Sequence, residues 1–257
     1  MHAIMTAGGC LKEDDPLYLE TGIAKKALIP IAGKTMVQWV TDNLLASPQI
    51  DGLILVGLDE GAVQSNGKPI HYAADHGGIV ENVMAGIDVV KQLNPQSSKV
   101  LLSSSDIPLF TTEMFDEFIE ICLKEDYDIY YTVVEQKVMD ARFPNSKRTF
   151  TPMKGGRYSG GDVLILDTRP VDANIDLFRT ATGHRKSFIQ QARLIGFVFI
   201  FRFLFRLMDI PEAEWRASKA LNVRGRVIEY HRAEIGMDVD KLHHFELAKK
   251  ELEASLT

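Results

Sequence analysis

The sequence predicts an α/β fold with a three-layer, Rossmann-like α/β/α architecture and a mostly parallel central sheet. Apolar runs of strand length alternate with longer amphipathic segments, most regularly in the first half of the chain. Strands separated by helices pair in parallel through right-handed crossovers, which place the helices against the faces of the sheet. No internal repeat and no low-complexity segment interrupts this alternation.

Seven strands and five helices account for the pattern. The strands are expected at residues 3–6, 52–57, 69–72, 99–104, 129–134, 162–166 and 226–230. The helices are expected at residues 35–45, 78–92, 112–125, 186–193 and 242–255. Residues 136–160 hold several prolines and glycines and form the longest irregular stretch, and such long loops often bind ligands or act as lids.

Length and composition are those of an ordinary globular protein. The chain of 257 residues is 46% hydrophobic and 25% charged, and we expect one domain over residues 1–257. The net charge of −6 gives no indication of a nucleic-acid partner. An acidic protein that handles nucleotides normally recruits a divalent cation, which offsets the phosphate charge.

The cysteine content points to a reducing compartment. Cys10 and Cys122 are too few for a disulfide framework or a zinc ribbon. The first residues lack the basic segment and apolar core of a signal peptide. We therefore expect a cytoplasmic protein.

Residues 194–208, LIGFVFIFRFLFRLM, are unusually apolar. The segment is too short and too charged to span a bilayer, which takes about 20 apolar residues. Arg202 and Arg206 are four residues apart and share one helical face. The favoured interpretation is a buried helix that packs on the sheet or on a partner in a homodimer. A helix lying on a membrane surface is the alternative, although two cations give weak attachment.

Two glycine-containing segments near the N-terminus suit a phosphate site. Ala7-Gly8-Gly9 follows the first strand as a tight turn, whose backbone N–H groups can bind phosphate. Lys26 precedes a second glycine turn and offers a point charge suited to phosphate oxygens. The alternative for Lys26 is a solvated pair with Lys25.

Three aspartates are candidates for a metal site. Asp106 lies at the carboxyl end of a predicted strand, where it can hold Mg²⁺ or, equally well, cap a turn. Asp238 and Asp240 alternate along an extended segment, so we expect at most one of them to reach the metal of Asp106. The adjacent His243 and His244 are poorly spaced for joint ligation and are interpreted as surface residues.

Gly160 and Gly161 come before a predicted strand. This position suits a loop whose backbone passes close to a substrate.

These segments together resemble the MobA-like NTP transferases, which are nucleotidyltransferases with the glycosyltransferase-A-like fold. The resemblance rests on TAGG after the first strand, KALIPIAGKTMVQWVTDNL, SSDIPLFTTEMFDEF and GMDVD before the last helix, in family order. DHGGIVENVMAGIDVV is similar to the base-binding loop and its helix. The match covers residues 1–135 well, whereas 136–233 is family-like only at YSGGDVLIL and is expected to be a variable, acceptor-side insertion.

The resemblance implies transfer of a nucleoside monophosphate from an NTP to a phosphorylated acceptor, such as a sugar phosphate or molybdopterin, with release of pyrophosphate. Lys26 and Asp106 would be catalytic, and Asp106 and Asp238 would hold Mg²⁺ or another divalent cation. The NTP would be bound by Ala7, Gly8, Gly9, Lys26, Asp75, Gly77, Gly78 and Asn82. The acceptor would lie against Gly160 and Gly161.

The segment between Gly9 and Lys26 departs from the family pattern. It is longer than usual, lacks the arginine that follows the family's glycine turn, and has Lys25 where the family has proline. We therefore expect phosphate binding to depend more on Lys12, Lys26 and the metal. Glu13, Asp14 and Asp15 are expected to face solvent, with an acidic lid over the metal as the alternative.

Two other functions remain open at this point. A glycosyltransferase on the same scaffold would use a nucleotide-sugar, but Ser104-Ser105-Asp106 lacks the first carboxylate of the Asp-x-Asp motif usual in that class. A non-catalytic nucleotide-binding protein, or a membrane-associated one, would fit the missing arginine and the phenylalanines of residues 197–205.

Overall fold

Eight strands form a central mixed sheet in the computed structural model, which describes residues 1–183 and 208–256. Two further short strands, β2 and β3, form a separate ribbon. The strands are β1 (His2–Thr6), β2 (Pro30–Ile31), β3 (Lys34–Thr35), β4 (Gly52–Val56), β5 (Ile70–Ala73), β6 (Lys99–Ser104), β7 (Ile129–Glu135), β8 (Thr151–Met153), β9 (Gly156–Asp167) and β10 (Gly225–Glu229).

The sheet has the order β10-β7-β9-β6-β1-β4-β5, and β8 pairs with β9. Strands β6, β1, β4 and β5 are mutually parallel, as are β10 and β7. Strand β9 is antiparallel to both of its neighbours in this order. The predicted mostly parallel α/β fold is confirmed, with β9 running against the other strands.

Helices lie on both faces of this sheet. They are α1 (Pro16–Thr21), α2 (Met36–Ala46), α3 (Ile79–Leu93), α4 (Thr112–Cys122), α5 (Gln136–Arg142), α6 (Thr168–Ala173), α7 (Ile175–Gly183), α8 (Ile210–Leu221) and α9 (Leu242–Ser255). Two short 3₁₀ helices occupy Lys26–Leu28 and Ala233–Gly236. Helices α2, α3, α4 and α9 match the predicted helices to within a few residues.

The prediction of an irregular stretch at 136–160 is wrong for most of its length. It contains α5, β8 and the beginning of β9, with Lys154 and Gly155 at the turn between the last two. Gly155 takes a φ of +98°, which favours glycine at that turn. Residues 143–150, between α5 and β8, form no helix or strand, and proline and glycine hide the periodicity of the short elements beside them.

The two faces of the sheet carry cores of very different size. Because side chains alternate along a strand, Ala3 and Met5 of β1 enter one core and Ile4 enters the other. Among the described residues, the first core has 40 buried hydrophobic residues and the second has nine. The second face is therefore much less completely covered by the part of the chain that the structure describes.

The helix predicted at 186–193 lies outside the described residues, and so does the apolar segment 194–208 apart from Met208. Within the described ranges, no helix is long and apolar enough to cross a membrane.

Candidate nucleotide and metal site

The glycine turn is held by the strand next to it. The Ala7 amide donates to the Val56 carbonyl at 2.8 Å, which continues the pairing of β1 with β4. Gly57 has a φ of +98°, and a Cβ added there would come within 2.5 Å of Gly8 Cα. Only glycine therefore lets these two strand ends approach so closely.

The loop that precedes α3 closes over the glycine turn. Asp75 Oδ1 accepts hydrogen bonds from the Gly77 amide and from Asn82 Nδ2, both at 2.9 Å. The amide of His76 donates to Asn82 Oδ1 at 2.7 Å. The bonds from Asn82 and Gly77 lower the pKa of the Asp75 carboxyl. The loop is thus fixed by its own hydrogen bonds, with its carboxylate held against Gly8.

A cavity of about 480 Å³ lies between this loop, the glycine turn and β6. Its lining includes Ala7, Gly8, Gly9, Lys26, Asp75, Gly77, Gly78, Asn82 and Asp106. All the residues predicted to bind the NTP are therefore brought together. Asp238, Gly160 and Gly161 are outside this lining.

Lys26 connects the glycine turn to a group of carboxylates. It begins the 3₁₀ helix Lys26–Leu28, and its amide donates to the Gly9 carbonyl at 3.1 Å. Its Nζ lies 2.5 Å from Asp106 Oδ2 and also contacts Asp240 Oδ1. Burial alone would lower the pKa of Lys26, but the charges of Asp106 and Asp240 outweigh it and raise the pKa. Lys26 is therefore a permanent cation and not a solvated partner of Lys25.

Asp106, Asp238 and Asp240 form a carboxylate cluster whose nearest oxygen atoms all lie within 4.8 Å of one another. The expectation that only one of Asp238 and Asp240 reaches Asp106 is wrong. The segment makes a tight turn, because the Asp240 amide donates to the Asp238 carbonyl at 3.1 Å. The amide of Val239 donates to the Asp106 carbonyl at 2.9 Å, which ties this turn to the end of β6.

The cluster is partly sheltered from water, and this affects its aspartates differently. Burial raises the pKa of Asp238, whose side chain is only 10% exposed. Burial also acts on Asp240, but hydrogen bonds from Asp238 and Lys26 outweigh it and lower the pKa of Asp240. Three carboxylates from two segments are the oxygen ligands that hard divalent cations prefer, so the cluster fits such a metal.

Two further charged residues, Arg148 and Asp162, border the cluster and were not predicted. Arg148 forms an ion pair with Asp238 and also donates from Nη1 to the Asp238 carbonyl at 3.3 Å. Asp162 lies where the pairing of β7 with β9 changes register between Tyr131 and Val133. Burial, together with the charges of Asp238 and Asp106, raises the pKa of Asp162. The Gly-Gly-Asp sequence of residues 160–162 was the only signal for Asp162, and Arg148 had none.

His244 is buried, so its interpretation as a surface residue is wrong. His243 and His244 both place Nε2 2.9 Å from the Ser146 carbonyl oxygen. Burial and the neighbouring His243 lower the pKa of His244 to about 4. The two histidines contact the backbone at Ser146, two residues before Arg148, and so help to hold Arg148 against the carboxylate cluster.

The segment between Gly9 and Lys26 leaves the site and returns to it through a bridge between Cys10 and Lys25. It contains the unpredicted helix α1, and Asp15 caps that helix by accepting from the Leu17 amide at 2.8 Å. Lys12, Glu13 and Asp14 are exposed, and none of them lines the cavity. The carboxylates of Glu13 and Asp14 face solvent as predicted, whereas Asp15 has a structural role.

Gly160 and Gly161 lie inside β9 and not in a loop. A Cβ on Gly160 would come 2.4 Å from the Tyr131 hydroxyl, and one on Gly161 would come 2.3 Å from the Thr132 hydroxyl. The protein's own side chains thus fill the space that these glycines leave. Their contact with an acceptor stays a prediction.

Comparisons with known proteins show the family and the fold. A family model for the MobA-like NTP transferase domain matches residues 21–193. A hypothetical transferase from Thermus thermophilus is 28% identical, with a TM-score of 0.80 over 95% of this chain and 100% of its own. A comparison with curated proteins gives no match.

Two more distant structures share the fold. One is 4-diphosphocytidyl-2C-methyl-D-erythritol synthase from Anaerococcus prevotii, at 14% identity and a TM-score of 0.55 over 98% of this chain and 95% of its own. The other is CMP:2-keto-3-deoxy-manno-octonic acid synthetase in complex with CTP, at 13% identity and a TM-score of 0.59 over 99% and 98%. With the family match over two thirds of its length, the chain belongs to the MobA-like NTP transferase family of nucleotidyltransferases.

Proposed function

We propose that this protein transfers a nucleoside monophosphate from an NTP to a phosphorylated small-molecule acceptor, with Mg²⁺ as cofactor and pyrophosphate as the second product. The observation that carries the proposal is the position of Lys26. It joins the glycine turn, through the Gly9 carbonyl, to the cluster of Asp106, Asp238 and Asp240. Asp106 both lines the cavity and belongs to the carboxylate cluster, so the candidate phosphate and metal sites adjoin.

The residues of this cavity suit in-line attack of an acceptor phosphate on the α-phosphorus. Such a reaction needs alignment and charge neutralisation more than covalent chemistry. Backbone amides of the turn at Gly8 and Gly9 would bind the phosphates, and the loop of Asp75, Gly77 and Asn82 would border the base. Lys26 would exchange its carboxylate partners for phosphate oxygens. A divalent cation held by the aspartates would neutralise the developing charge.

The acceptor would lie on the side of residues 136–233, where β9 carries Gly160 and Gly161 and where Arg148 and Asp162 border the cluster. A sugar phosphate, molybdopterin or a similar phosphorylated compound fits this arrangement. The whole chain, residues 1–257, would act as one catalytic domain. Its two free cysteines, one exposed and one buried, support a cytoplasmic location.

The test is a matrix of the four NTPs against a panel of phosphorylated acceptors, with Mg²⁺ present and pyrophosphate release as the readout. Thermal shift measures NTP and metal binding independently, because a ligand stabilises the folded protein according to its concentration relative to Kd. Asp106→Asn should abolish the metal-dependent part of the shift. Asp88→Asn, an exposed aspartate on α3, is the matched control. No pyrophosphate release and no NTP-dependent shift would contradict the proposal.

A second candidate is a glycosyltransferase that uses a nucleotide-sugar. Asp238-Val239-Asp240 is an Asp-x-Asp sequence with both carboxylates in the cluster, and this observation favours it. The sequence lies before the last helix, however, and not at the end of a central strand. Release of a nucleoside diphosphate from a nucleotide-sugar, without pyrophosphate release from any NTP, would favour this candidate.

A further inference from the structure

Lys25 is a second lysine at the glycine turn, and it contacts the turn from outside the cavity lining. Its partly buried Nζ donates to the carbonyl oxygens of Gly8 and Gly57, each at 3.4 Å. An ammonium group has several N–H donors and no acceptor, so it can bind two carbonyl oxygens at once. Gly8 is in the turn after β1 and Gly57 directly follows β4, so one ammonium group joins the ends of two neighbouring strands.

The neighbouring Lys26 holds the next carbonyl group of the turn. Its backbone amide donates to the Gly9 carbonyl at 3.1 Å. Consecutive lysines thus hold consecutive carbonyls, Lys25 with its side chain and Lys26 with its backbone. The Nζ of Lys26 is directed to Asp106 and Asp240, so the two ammonium groups have different partners and different roles.

The contact with the Gly8 carbonyl also fixes the direction of the Gly9 amide. The C=O and the N–H of one trans peptide point in opposite directions, so the Gly9 N–H points away from the Lys25 ammonium group. Glycine on both sides of this peptide gives its backbone unusual freedom to rotate, and a defined orientation therefore needs a contact that holds it. Gly8 and Gly9 line the cavity, whereas Lys25 does not.

Asp75 is an anionic group that faces the same turn. A Cβ on Gly8 would come 2.7 Å from its carboxylate. The hydrogen bonds from Asn82 and Gly77 lower the pKa of the Asp75 carboxyl, and the positive charge of Lys25 adds to this effect. Lys25 thus has two separable effects, which are its contacts with the carbonyl groups and its charge opposite Asp75.

We propose that Lys25 is a positioning residue of the glycine turn, which binds the Gly8 and Gly57 carbonyls and keeps the Gly9 amide directed into the cavity, toward the phosphates of an NTP. The part that concerns phosphate rests on the proposed function, whereas the contact with the two carbonyls does not. Lys25 itself does not touch the nucleotide. It acts through the backbone of the turn, because a correctly directed N–H group can donate to a phosphate oxygen without first having to reorient.

Hydrogen–deuterium exchange of the full-length protein without ligand tests the contact with the two carbonyls. Lys25→Met removes the ammonium group and keeps a side chain of similar length. Amides of residues 7–9 and 57 should then exchange about two- to tenfold faster, the range expected for loss of one modest hydrogen bond. Lys12→Met removes the same charge at an exposed position outside the cavity lining and should leave this exchange unchanged. Lys25→Arg keeps a cationic donor and should restore exchange to within about twofold of the wild type.

Isothermal titration tests the role in phosphate binding, with the NTP that binds the wild type most tightly. Lys25→Met should weaken this binding by about three- to tenfold. The loss should be of the same size in an Asp75→Asn background, which keeps the oxygen acceptor of the Gly77 amide and removes the charge. The affinity for Mn²⁺ in the absence of NTP should stay unchanged, which a general loss of structure would not allow.

Four results would overturn the inference. Unchanged exchange at residues 7–9 and 57 in Lys25→Met would show that Lys25 does not hold the turn. A loss of NTP affinity that disappears in the Asp75→Asn background would show that Lys25 acts only through its charge. Faster exchange with unchanged NTP affinity would remove the role in phosphate binding, and a matching fall in Mn²⁺ affinity would mean that the whole site is disturbed. If the wild type binds none of the four NTPs, the proposed function fails, and faster exchange in Lys25→Met still supports the contact with the two carbonyls.

Discussion

The two ends of the candidate site are built in different ways. At the nucleotide end, a backbone turn meets a loop whose hydrogen bonds join residues no more than seven positions apart, as between Asp75 and Asn82. At the metal end, the side chains of Lys26, Asp106 and Asp240 come from three distant parts of the chain. The nucleotide end depends on local conformation, whereas the metal end depends on the whole fold.

The two ends also differ in charge. The nucleotide end offers amides, small residues and one carboxylate that its own loop already binds. The metal end brings four aspartates together, and among the described residues Lys26 and Arg148 are the cations that pair with them. Like charges at this distance repel strongly where water is scarce, so a bound cation would stabilise the carboxylates of the metal end. Substitutions at the metal end should therefore have the larger effects.

The largest effect is expected for Lys26→Met. Loss of the cation between the turn and the cluster should reduce kcat/KM with the best NTP by about 10²- to 10³-fold, the range seen for a lost electrostatic contact in a transition state. Lys12→Met is the control, since Lys12 is exposed and does not line the cavity. Steady-state pyrophosphate release measures both. If Lys12→Met lowered kcat/KM more than Lys26→Met does, the segment after Gly9 would be the part that binds phosphate, and the role proposed for Lys26 would be wrong.

Asp240→Asn should have the next largest effect. It removes one carboxylate from the cluster and one partner from Lys26, so the affinity for Mn²⁺, used as a probe for Mg²⁺, should fall by about ten- to a hundredfold. Isothermal titration gives the affinity directly, with Asp88→Asn as the control. Unchanged Mn²⁺ affinity would mean that Asp106 and Asp238 suffice and that Asp240 only positions Lys26.

The difference between the two ends also determines how much of the site the sequence could predict. Local sequence patterns predict the fold, the glycine turn, the Asp75–Asn82 loop and Lys26. The structure brings the turn, the loop and Lys26 to one cavity. Asp240 was misplaced because alternation assumes an extended strand, whereas the Asp240 amide turns back to the Asp238 carbonyl. The side chains of Asp238 and Asp240 converge because of this turn. No glycine or proline lies within residues 238–240 to predict it.

Arg148, Asp162 and His244 were beyond prediction for a related reason. Arg148 reaches Asp238 across 90 residues of sequence, and only the packing of α9 against the segment around Ser146 brings it there. Asp162 faces the cluster where β9 changes its register with β7. The pairing shifts by two residues between Tyr131 and Val133, and such an irregularity cannot be read from composition.

Gly8→Ala should disturb the nucleotide end to a smaller extent. The added methyl group would lie 2.7 Å from the Asp75 carboxylate, which Gly77 and Asn82 hold in place, so the loop must shift. We expect NTP affinity to fall by about tenfold, as for a contact of about 1.4 kcal/mol. Asp88→Asn is the control, because Asp88 is exposed and lies outside the cavity lining. Equal affinities for the two variants, measured by NTP-dependent thermal shift, would contradict the close approach of Asp75.

The smallest effect concerns acid stability and the histidine pair behind the metal end. His244 has a pKa of about 4 in the folded protein against 6.5 for an unperturbed histidine, because burial disfavours its charged form and the neighbouring His243 adds to this effect. The unfolded chain therefore binds more protons between pH 6.5 and pH 4, and the stabilisation from neutral His244 is lost as the pH falls through this window. On going from pH 7 to pH 5, the wild type should lose more Tm than His244→Gln, by on the order of 5 °C. His243→Gln is the control: it changes the neighbouring residue that also contacts the Ser146 carbonyl, and its Tm should fall with pH nearly as much as that of the wild type. If Tm fell equally with pH in the wild type and in His244→Gln, protonation of His244 would not destabilise the folded protein, and the prediction would be wrong.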